Sequence, residues 1–264
     1  MRICVLASGS KGNSTYVETE NSKILIDAGL SKTELERRLS LINVNPFDID
    51  AILVTHEHSD HIKGLSQFVK KYNNKIYAHR KSWDILAEKL GDISTSLQIE
   101  FNGEDFNIKD MTIQSFDLEH DSAHCVGFSV IEGRKKFSTA TDLGHTSPEI
   151  ISHLKTSDFV ILEANHDIQT LRNNPNYPYY LKSRILSNHG HLSNDETAKT
   201  IIKLLGNTTR GVMLAHLSEQ NNSPQLATQT IRKTLIENNV SPAEELFIDI
   251  AKQENVSNIF KIKE

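Results

Sequence analysis

Residues 55–61 read Thr-His-Glu-His-Ser-Asp-His, which places three histidines and a carboxylate within six positions. The segment follows an apolar run at 52–54, Ile-Leu-Val, which predicts a short buried strand. A loop at a strand end can direct neighbouring side chains to one point, and imidazole with carboxylate suits zinc, manganese or iron. We therefore expect the first two histidines to bind one ion, while Asp60 and His61 bind a second ion beside it.

The composition is that of an ordinary globular protein, with 264 residues of which 38% are hydrophobic and 24% are charged. The net charge of −5 argues against a generally basic nucleic-acid-binding protein, although a local basic groove is compatible with it. No apolar run approaches the roughly 18 residues that a membrane span needs, and the N-terminal apolar run is too short for a secretory signal. We therefore expect no membrane partner. Cys4 and Cys125 are the only cysteines, too few for a disulfide framework in a chain of this length, which favours a reducing cytoplasm.

Short strands and helices alternate in both halves of the chain, which predicts two sheets packed together with helices outside. We predict a single domain over residues 1–264, with an irregular polar insertion at about 166–190 and a closing strand at 245–250. Capping boxes predict helix starts at Ser31 and Ser193. A further helix should begin near Ser59 and continue through the apolar positions as far as 69.

Three further candidate ligands, His120, Asp142 and His216, each follow a predicted strand, as the heptapeptide does. A lone histidine after a strand is usually a surface or capping residue, but the three together with the heptapeptide favour one shared metal centre. A carboxylate such as Asp142 can place one oxygen on each of two metals. Water held between such ions is a hydroxide near neutral pH, because metal binding lowers its pKa to about 7.

The heptapeptide and the order of the ligands after it resemble the signature of the metallo-β-lactamase-fold hydrolases. The resemblance covers essentially the whole chain. It implies an α/β fold, an αββα sandwich of two mixed β-sheets with helices on both outer faces, and two divalent metal ions, zinc or manganese, at one sheet edge. By this resemblance the first ion is bound by His56, His58 and His120, the second by Asp60, His61 and His216, and Asp142 binds both.

Finer motifs at 7–14, 163–167, 181–185, 190–194 and 215–218 resemble those of the YycJ (WalJ-type) group of bacterial proteins. That resemblance implies a 5′→3′ exonuclease whose partner is double-stranded DNA with a 5′ end. The chain departs from the pattern of the group in two places. It lacks a proline near Cys125, and it carries an additional histidine at position 189.

Residues outside the ligand set complete the predicted site, with Asp60, His191 and His166 as the catalytic candidates. By resemblance to nucleases of the superfamily, His191 contacts the scissile phosphate or assists the leaving group. The alternative is that it caps the helix beginning at Ser193. His166 could contact a phosphate, support a ligand or lie at the surface. Glu163 could hold a ligand histidine through a hydrogen bond.

The glycine-rich loop at 8–14 leaves backbone N–H groups free to meet an anion, although such a loop is more often only a tight turn. Basic residues near the tyrosine cluster at 177–180 suggest a track for a nucleic-acid strand, and solvated helix faces are the alternative. The candidate substrate-binding residues are Ser10, Gly12, Asn13, Lys182 and Arg184.

The leading hypothesis is a two-metal phosphodiesterase, in which hydroxide attacks phosphorus in line and no covalent intermediate forms. Another hydrolase on the same scaffold, acting on a cyclic phosphate, RNA or another small molecule, is the first alternative. A di-iron redox protein is disfavoured because that class usually has glutamate where His58 stands. A non-catalytic module that has lost its metals is disfavoured by seven intact ligands. No protein partner can be inferred.

Overall fold

Two seven-stranded β-sheets face each other in the computed structural model, which describes residues 1–205, 208–240 and 246–263. Helices cover the outer face of each sheet, and three clusters of buried apolar side chains fill the layers. The predicted αββα sandwich of two mixed β-sheets is therefore confirmed.

The first sheet combines an antiparallel and a parallel half. It consists of β1 (Arg2–Ala7), β2 (Ser14–Glu18), β3 (Lys23–Ile26), β4 (Ala51–Val54), β5 (Lys75–His79), β6 (Gln98–Phe101) and β14 (Phe260–Lys261), with strands numbered in chain order. Their order across the sheet is β14-β1-β2-β3-β4-β5-β6. Pairing is antiparallel from β14 to β3 and parallel from β3 to β6.

The second sheet repeats this plan. It consists of β7 (Phe106–Ile108), β8 (Met111–Leu118), β9 (Cys125–Glu132), β10 (Lys135–Ala140), β11 (Phe159–Glu163), β12 (Gly211–Ala215) and β13 (Phe247–Ile250). Their order is β13-β12-β11-β10-β9-β8-β7. The strands from β7 to β10 pair antiparallel, and those from β10 to β13 pair in parallel, so the carboxyl ends of several strands meet at one edge.

Strand β4, which precedes the heptapeptide, shows how an apolar run is buried on both faces. Leu53 packs into the cluster between the sheets, while Ile52 and Val54 pack into the outer cluster beneath the helices. Successive side chains of a strand point to opposite faces, so a strand covered on both sides needs apolar residues throughout.

Two helices begin where capping boxes predict them. The side chain of Ser31 accepts a hydrogen bond from the backbone N–H of Glu34, and Ser193 accepts one from Glu196. No helix in the described part of the chain combines the length and the apolar character needed to cross a membrane. The helices are α1 (Lys32–Leu41), α2 (Ser59–Ile62), α3 (Leu65–Tyr72), α4 (Trp83–Leu90), α5 (Pro148–Lys155), α6 (Ile168–Asn173), α7 (Tyr179–Ile185), α8 (Asn194–Leu204) and α9 (Pro224–Glu237).

The helix that begins at Ser59 is interrupted, although one continuous helix is predicted. It ends at Ile62, and α3 begins after Gly64. At Gly64 the backbone of Leu30 comes so near that a Cβ atom would lie 2.0 Å from its carbonyl oxygen. The close approach explains the glycine, and the break leaves the metal motif on a short helix of its own.

The prediction of an irregular insertion at 166–190 is wrong, because this segment contains helices α6 and α7. Prolines and asparagines suggest loops, but Asp167 caps α6 by accepting a hydrogen bond from the N–H of Thr170. Strands β6, β7 and β14 are not predicted, since they are short and lie at the sheet edges. The predicted closing strand is present from Phe247, and its expected start at 245 lies outside the described residues.

Candidate binuclear metal centre

All seven candidate ligands lie at one edge of the sandwich, where strands of both sheets end. The heptapeptide at 55–61 connects β4 to α2 and extends into that helix, so its ligands belong to the first sheet. The second sheet supplies its ligands after β8, β10 and β12. These strands run in one direction, because β9 is antiparallel to both β8 and β10, while β10, β11 and β12 are parallel. The ligands of the second sheet are His120, Asp142 and His216.

Asp142 lies between two triplets of ligands. Its Oδ2 is 3.3 Å from His61 Nε2, and its Oδ1 is 3.9 Å from His120 Nε2. Oδ1 also lies 3.3 Å from His216 Nδ1, so the carboxylate contacts both triplets, as a ligand shared by two ions would. Within each triplet the ligand atoms lie within 4.8 Å of one another: His56, His58 and His120 in one, and Asp60, His61 and His216 in the other.

The chemistry of the donors fits two divalent cations. His56 Nε2, His216 Nε2 and Asp142 Oδ2 are buried without a hydrogen-bond partner among the described residues. An unpaired buried polar atom costs roughly 1–3 kcal/mol, which a bound cation would offset. The centre as a whole offers five imidazoles and two carboxylates, and such a set binds divalent transition metals.

Four of the ligand histidines have a hydrogen-bond partner in the protein at ring nitrogen Nδ1. Two of them belong to the triplet that contains Asp60. His61 Nδ1 lies 2.8 Å from Asp27 Oδ2, and His216 Nδ1 lies 2.7 Å from Glu163 Oε1. Such partners fix the tautomer and the orientation of a metal-binding ring. Two weaker contacts do the same for the other triplet: Thr55 Oγ1 to His56 Nδ1 at 3.1 Å, and Gly190 O to His120 Nδ1 at 3.3 Å.

Three residues of the centre adopt left-handed backbone conformations that side chains other than glycine rarely adopt. The φ angles are 63° for Asp27, 64° for Asp142 and 56° for His216. Each residue comes just after a strand, either directly or with one residue in between. The turn that ends the strand therefore bends its side chain toward the shared edge, and the local strain is held by the surrounding contacts.

Without metal, the buried centre favours ionised carboxylates beside protonated imidazoles. Burial disfavours the charged form of His61, but Asp27 and Asp142 outweigh it and raise its pKa well above the usual range. Burial also disfavours the charged form of His216, but Asp142 and Asp60 outweigh this effect and raise its pKa well above the usual range. Burial opposes ionisation of Asp142, yet the same histidines hold its pKa well below the usual range. Metal binding must therefore displace protons from these rings.

Glu163 holds a second histidine beside the centre. Its Oε1 accepts a hydrogen bond from His191 Nδ1 at 2.9 Å, and its Oε2 accepts one from the N–H of Leu192 at 2.9 Å. Burial opposes ionisation of Glu163, but His191 and His216 lower its pKa to about 2. Burial also disfavours charge on His191, but Glu163 raises its pKa. The alternative that His191 caps α8 is not borne out, since Ser193 provides the cap.

His166 lies beneath this pair rather than in the open site. It is 1% exposed and does not line the pocket that contains the ligands. Burial lowers its pKa to about 4, and both ring nitrogens lack a hydrogen-bond partner in the described part of the chain. Its backbone carbonyl accepts a hydrogen bond from Asn194 N–H. This position argues against direct contact between His166 and a substrate.

Five of the seven ligands line a pocket of about 260 Å³, namely His58, Asp60, His120, Asp142 and His216. Ser10 and Arg184 both line it, as expected of substrate-binding candidates. The guanidinium of Arg184 forms an ion pair with Asp121, whose other oxygen lies 3.2 Å from His120 Nε2. The helix that carries Arg184 is thus connected to a metal ligand through one carboxylate.

The other predicted substrate contacts lie elsewhere. The amide of Asn13 is 3.2 Å from Asp60 Oδ2 and 3.1 Å from His61 Nε2, so it contacts the ligands themselves. Gly12 packs against Gly29, where a Cβ atom would lie 2.7 Å from the carbonyl oxygen. Lys182 Nζ donates to a backbone carbonyl on α6 and does not line the pocket.

Asp27 and Asp121 contact candidate ligands, and sequence reasoning misses both. Asp27 directly follows strand β3, the same kind of position that identifies Asp142, so a systematic search of strand ends would find it. Asp121 directly follows the ligand His120 and carries no local signal of its own. Its importance depends on Arg184, 63 positions away in the sequence.

Comparisons with known proteins agree with this geometry. A family model described as the β-lactamase superfamily domain matches residues 22–217. The chain is 41% identical over 230 residues to exodeoxyribonuclease WalJ of Streptococcus pneumoniae, covering 86% of this chain and 85% of that protein. It is 37% identical over 238 residues to exodeoxyribonuclease YycJ of Bacillus anthracis, covering 90% of each.

Solved structures show the same fold at low sequence identity. The metallo-β-lactamase-fold protein YhfI from Bacillus subtilis superposes with a TM-score of 0.71 at 17% identity, covering 97% of this chain and 99% of that one. The short form of human tRNase Z gives a TM-score of 0.64 at 18% identity, covering 99% and 100%. At such identities the likeness concerns the fold alone.

Proposed function

The chain belongs to the β-lactamase superfamily and is a metal-dependent hydrolase, and we propose that it is an exonuclease that degrades double-stranded DNA from the 5′ end. The observation that carries the proposal is the identity of 37–41% to two exodeoxyribonucleases over 85–90% of their length. The pocket supports it, because a phosphodiester can approach the ligands from solvent. The two ions we propose are zinc or manganese.

The chain's own residues have separable roles in this reaction. Divalent ions bound here would lower the pKa of a water molecule that they bind, and they would stabilise negative charge on a phosphate. Asp60 and the other ligands position those ions, which is the sense in which we propose Asp60 as catalytic. Arg184, at the pocket wall, contacts a phosphate by exchanging its partner Asp121 for a phosphate oxygen.

His191 is the residue that we propose to move a proton. Glu163 holds its Nδ1, so Nε2, on the opposite side of the ring, is free to act in the pocket. The raised pKa of His191 favours a protonated ring, which donates from Nε2 to the leaving oxygen. His166 is 1% exposed and lies outside the pocket lining, so we propose that it does not touch the phosphate.

The test uses the purified chain with zinc or manganese and four substrates: duplex DNA labelled at the 5′ end, duplex DNA labelled at the 3′ end, single-stranded DNA and RNA. We expect early release of the 5′ label as mononucleotides and progressive shortening of the 3′-labelled strand. An equal preference for RNA, or hydrolysis of cyclic phosphodiesters alone, would contradict the proposal. Asp142→Asn serves as the inactive control.

We also propose that the protein works in the cytoplasm. Cys4 and Cys125 are both buried and unpaired, and they belong to different buried clusters, one in β1 of the first sheet and one in β9 of the second. Unpaired thiols are typical of a reducing compartment. Fractionation of cells that express a tagged chain tests this, and recovery outside the cytoplasm would contradict it.

A further inference from the structure

Two tyrosine side chains are exposed at the start of α7, beside the mouth of the metal pocket. Tyr179 is 85% exposed and Tyr180 is 74% exposed, which are the highest values among the large apolar side chains of the described residues. Exposed aromatic rings of this kind mark a binding surface when they adjoin a site.

The same helix forms part of the pocket wall. Leu181 and Ile185, four positions apart on one helix face, line the pocket, and Tyr177 lines it just before the helix begins. The two exposed tyrosines lie on other faces of the helix, directed to solvent. A helix of seven residues is only about 10 Å long, so the backbone of both tyrosines lies within about 10 Å of the pocket-lining residues of α7.

The pocket is too small to hold stacked base pairs. Its volume of about 260 Å³ lies below the roughly 300–1,000 Å³ that is usual for sites enclosing a whole small ligand. A DNA end that delivers one phosphodiester to the ligands must therefore extend over the rim. At this rim it meets α7.

Positive charge accompanies the tyrosines on the outer side of the rim. Lys182 Nζ donates to the backbone carbonyl of Arg172 at 2.7 Å, so a second cationic residue, which is exposed on α6, adjoins α7. Neither side chain forms an ion pair with a carboxylate in the part of the chain that the structure describes. Both charges are available to phosphates.

We propose that Tyr179 and Tyr180 form a platform that stacks against the bases at the end of the DNA, while Lys182 and Arg172 contact its phosphates. This inference rests on the proposed function and adds how the end of the substrate is recognised. Base stacking on aromatic rings tolerates any sequence, because every base presents a π-face. Such a platform suits an enzyme that must process each nucleotide in turn.

The test compares Tyr179→Ala/Tyr180→Ala with the wild type on two substrates: duplex DNA, and bis-p-nitrophenyl phosphate, a small diester that enters the pocket without a base to stack. We expect the KM for DNA to rise roughly tenfold or more, and kcat/KM for the small diester to change less than twofold. Tyr179→Phe/Tyr180→Phe should restore the KM for DNA, because it keeps the rings. Phe47→Ala removes a remote aromatic ring, 67% exposed, and should change neither substrate.

A direct measurement uses 2-aminopurine as the terminal base of a duplex whose end linkages resist hydrolysis. Its fluorescence should be quenched by the wild type and by the Phe variants, and not by the Ala variants. An unchanged KM and quenching in the Ala variants would overturn the platform. Parallel losses on DNA and on the small diester would also overturn it, since they would place the effect inside the pocket.

Two further outcomes have separate meanings. A wild type that hydrolyses the small diester but no DNA would refute the proposed function itself, and the platform with it. An active wild type with unchanged Ala variants would refute the platform alone. If sedimentation shows a dimer that the Ala variants lose while the KM for DNA stays constant, the tyrosines form a protein interface and the proposal is overturned.

Discussion

Glu163 Oε1 accepts hydrogen bonds from both His191 Nδ1 and His216 Nδ1, at 2.9 and 2.7 Å. One fully buried carboxylate thus orients a candidate metal ligand and the candidate acid of the reaction. A substitution at position 163 must disturb both. Substitution of His191 itself separates them, because it leaves the contact to His216 in place.

His191→Ala should lower turnover roughly 100-fold or more on DNA, the range for one positioned acid–base group. Metal content and melting temperature should stay near wild type, because His191 is not among the seven candidate ligands. Ser193→Ala is the matched control. It removes the cap of α8, so it should cost about 1 kcal/mol of stability and keep its turnover. Normal turnover in His191→Ala would disprove the catalytic role.

Asp142→Asn should abolish detectable turnover, with a loss of roughly 10³-fold or more, because it removes charge from the carboxylate that faces both triplets. Asparagine tolerates the left-handed backbone at this position better than alanine does. Circular dichroism should therefore remain that of the wild type. A variant with near wild-type turnover would show that Asp142 does not bridge the ions.

Two metal ions should bind per chain, and binding should release protons. Because Asp27, Asp142 and Asp60 raise the pKa values of His61 and His216, a metal must displace protons from both rings. Affinity should therefore fall as the pH is lowered from 8 to 6. Calorimetry in buffers of different ionisation enthalpy measures the protons, and elemental analysis measures the ions. Saturation at one ion would contradict the binuclear centre.

Arg184→Ala should raise the KM for DNA about tenfold while kcat changes little, because it removes one charge-assisted contact to a phosphate. Asp121→Asn is the informative counterpart. It weakens the ion pair that occupies Arg184, so the KM should not rise. A higher KM in both variants would indicate that the pair holds the pocket wall and that Arg184 has no separate role with substrate.

Glu34→Gln tests a buried cation, Arg38, that is not itself part of the metal centre. Arg38 is 3% exposed and donates to Glu34 and to the carbonyl of Leu6. The hydrogen bond from Arg37, with that from Arg38, lowers the pKa of Glu34 to about 2. A depressed pKa adds stability above the unfolded value near 4.3, and this stability is lost as the pH falls toward 2.

Since water screens part of this interaction, the variant should lose about 1 kcal/mol at pH 7. It should also show a shallower loss of stability between pH 5 and 2. Glu196→Gln, which breaks an exposed pair with Lys199, should cost less than about 0.5 kcal/mol. Urea unfolding measures the stability of both variants. Equal losses of stability would contradict the prediction that the Glu34 pair with buried Arg38 stabilises the fold more than an exposed pair does.

The sequence predicts the parts of the centre that have a local signal. His56 to His61 stand in one short segment after β4, and Asp142 and His216 follow apolar strands, so pattern and spacing single them out as candidates. Asp27 and Asp121 act through partners brought close only by folding, at sequence separations of 34 and 63 positions. Helices α6 and α7 are missed because their turn-forming residues act as caps and flanks.

The edge strands illustrate a second limit. β6, β7 and β14 have only two to four residues each and lie at or near the sheet margins. A pattern of that length cannot be told from a loop, and pairing with a neighbouring strand decides its conformation. The central strands carry long apolar runs, so they need no such context.

The candidate ligands come from both sheets, with His56, His58, Asp60 and His61 on one side and His120, Asp142 and His216 on the other. Bound ions would therefore cross-link the two sheets at the open edge of the sandwich. Chelation should then loosen the two halves against each other before either unfolds, and hydrogen exchange should increase first in the loops that carry the ligands. The availability of metal would then determine the local stability of this edge as well as the activity of the site.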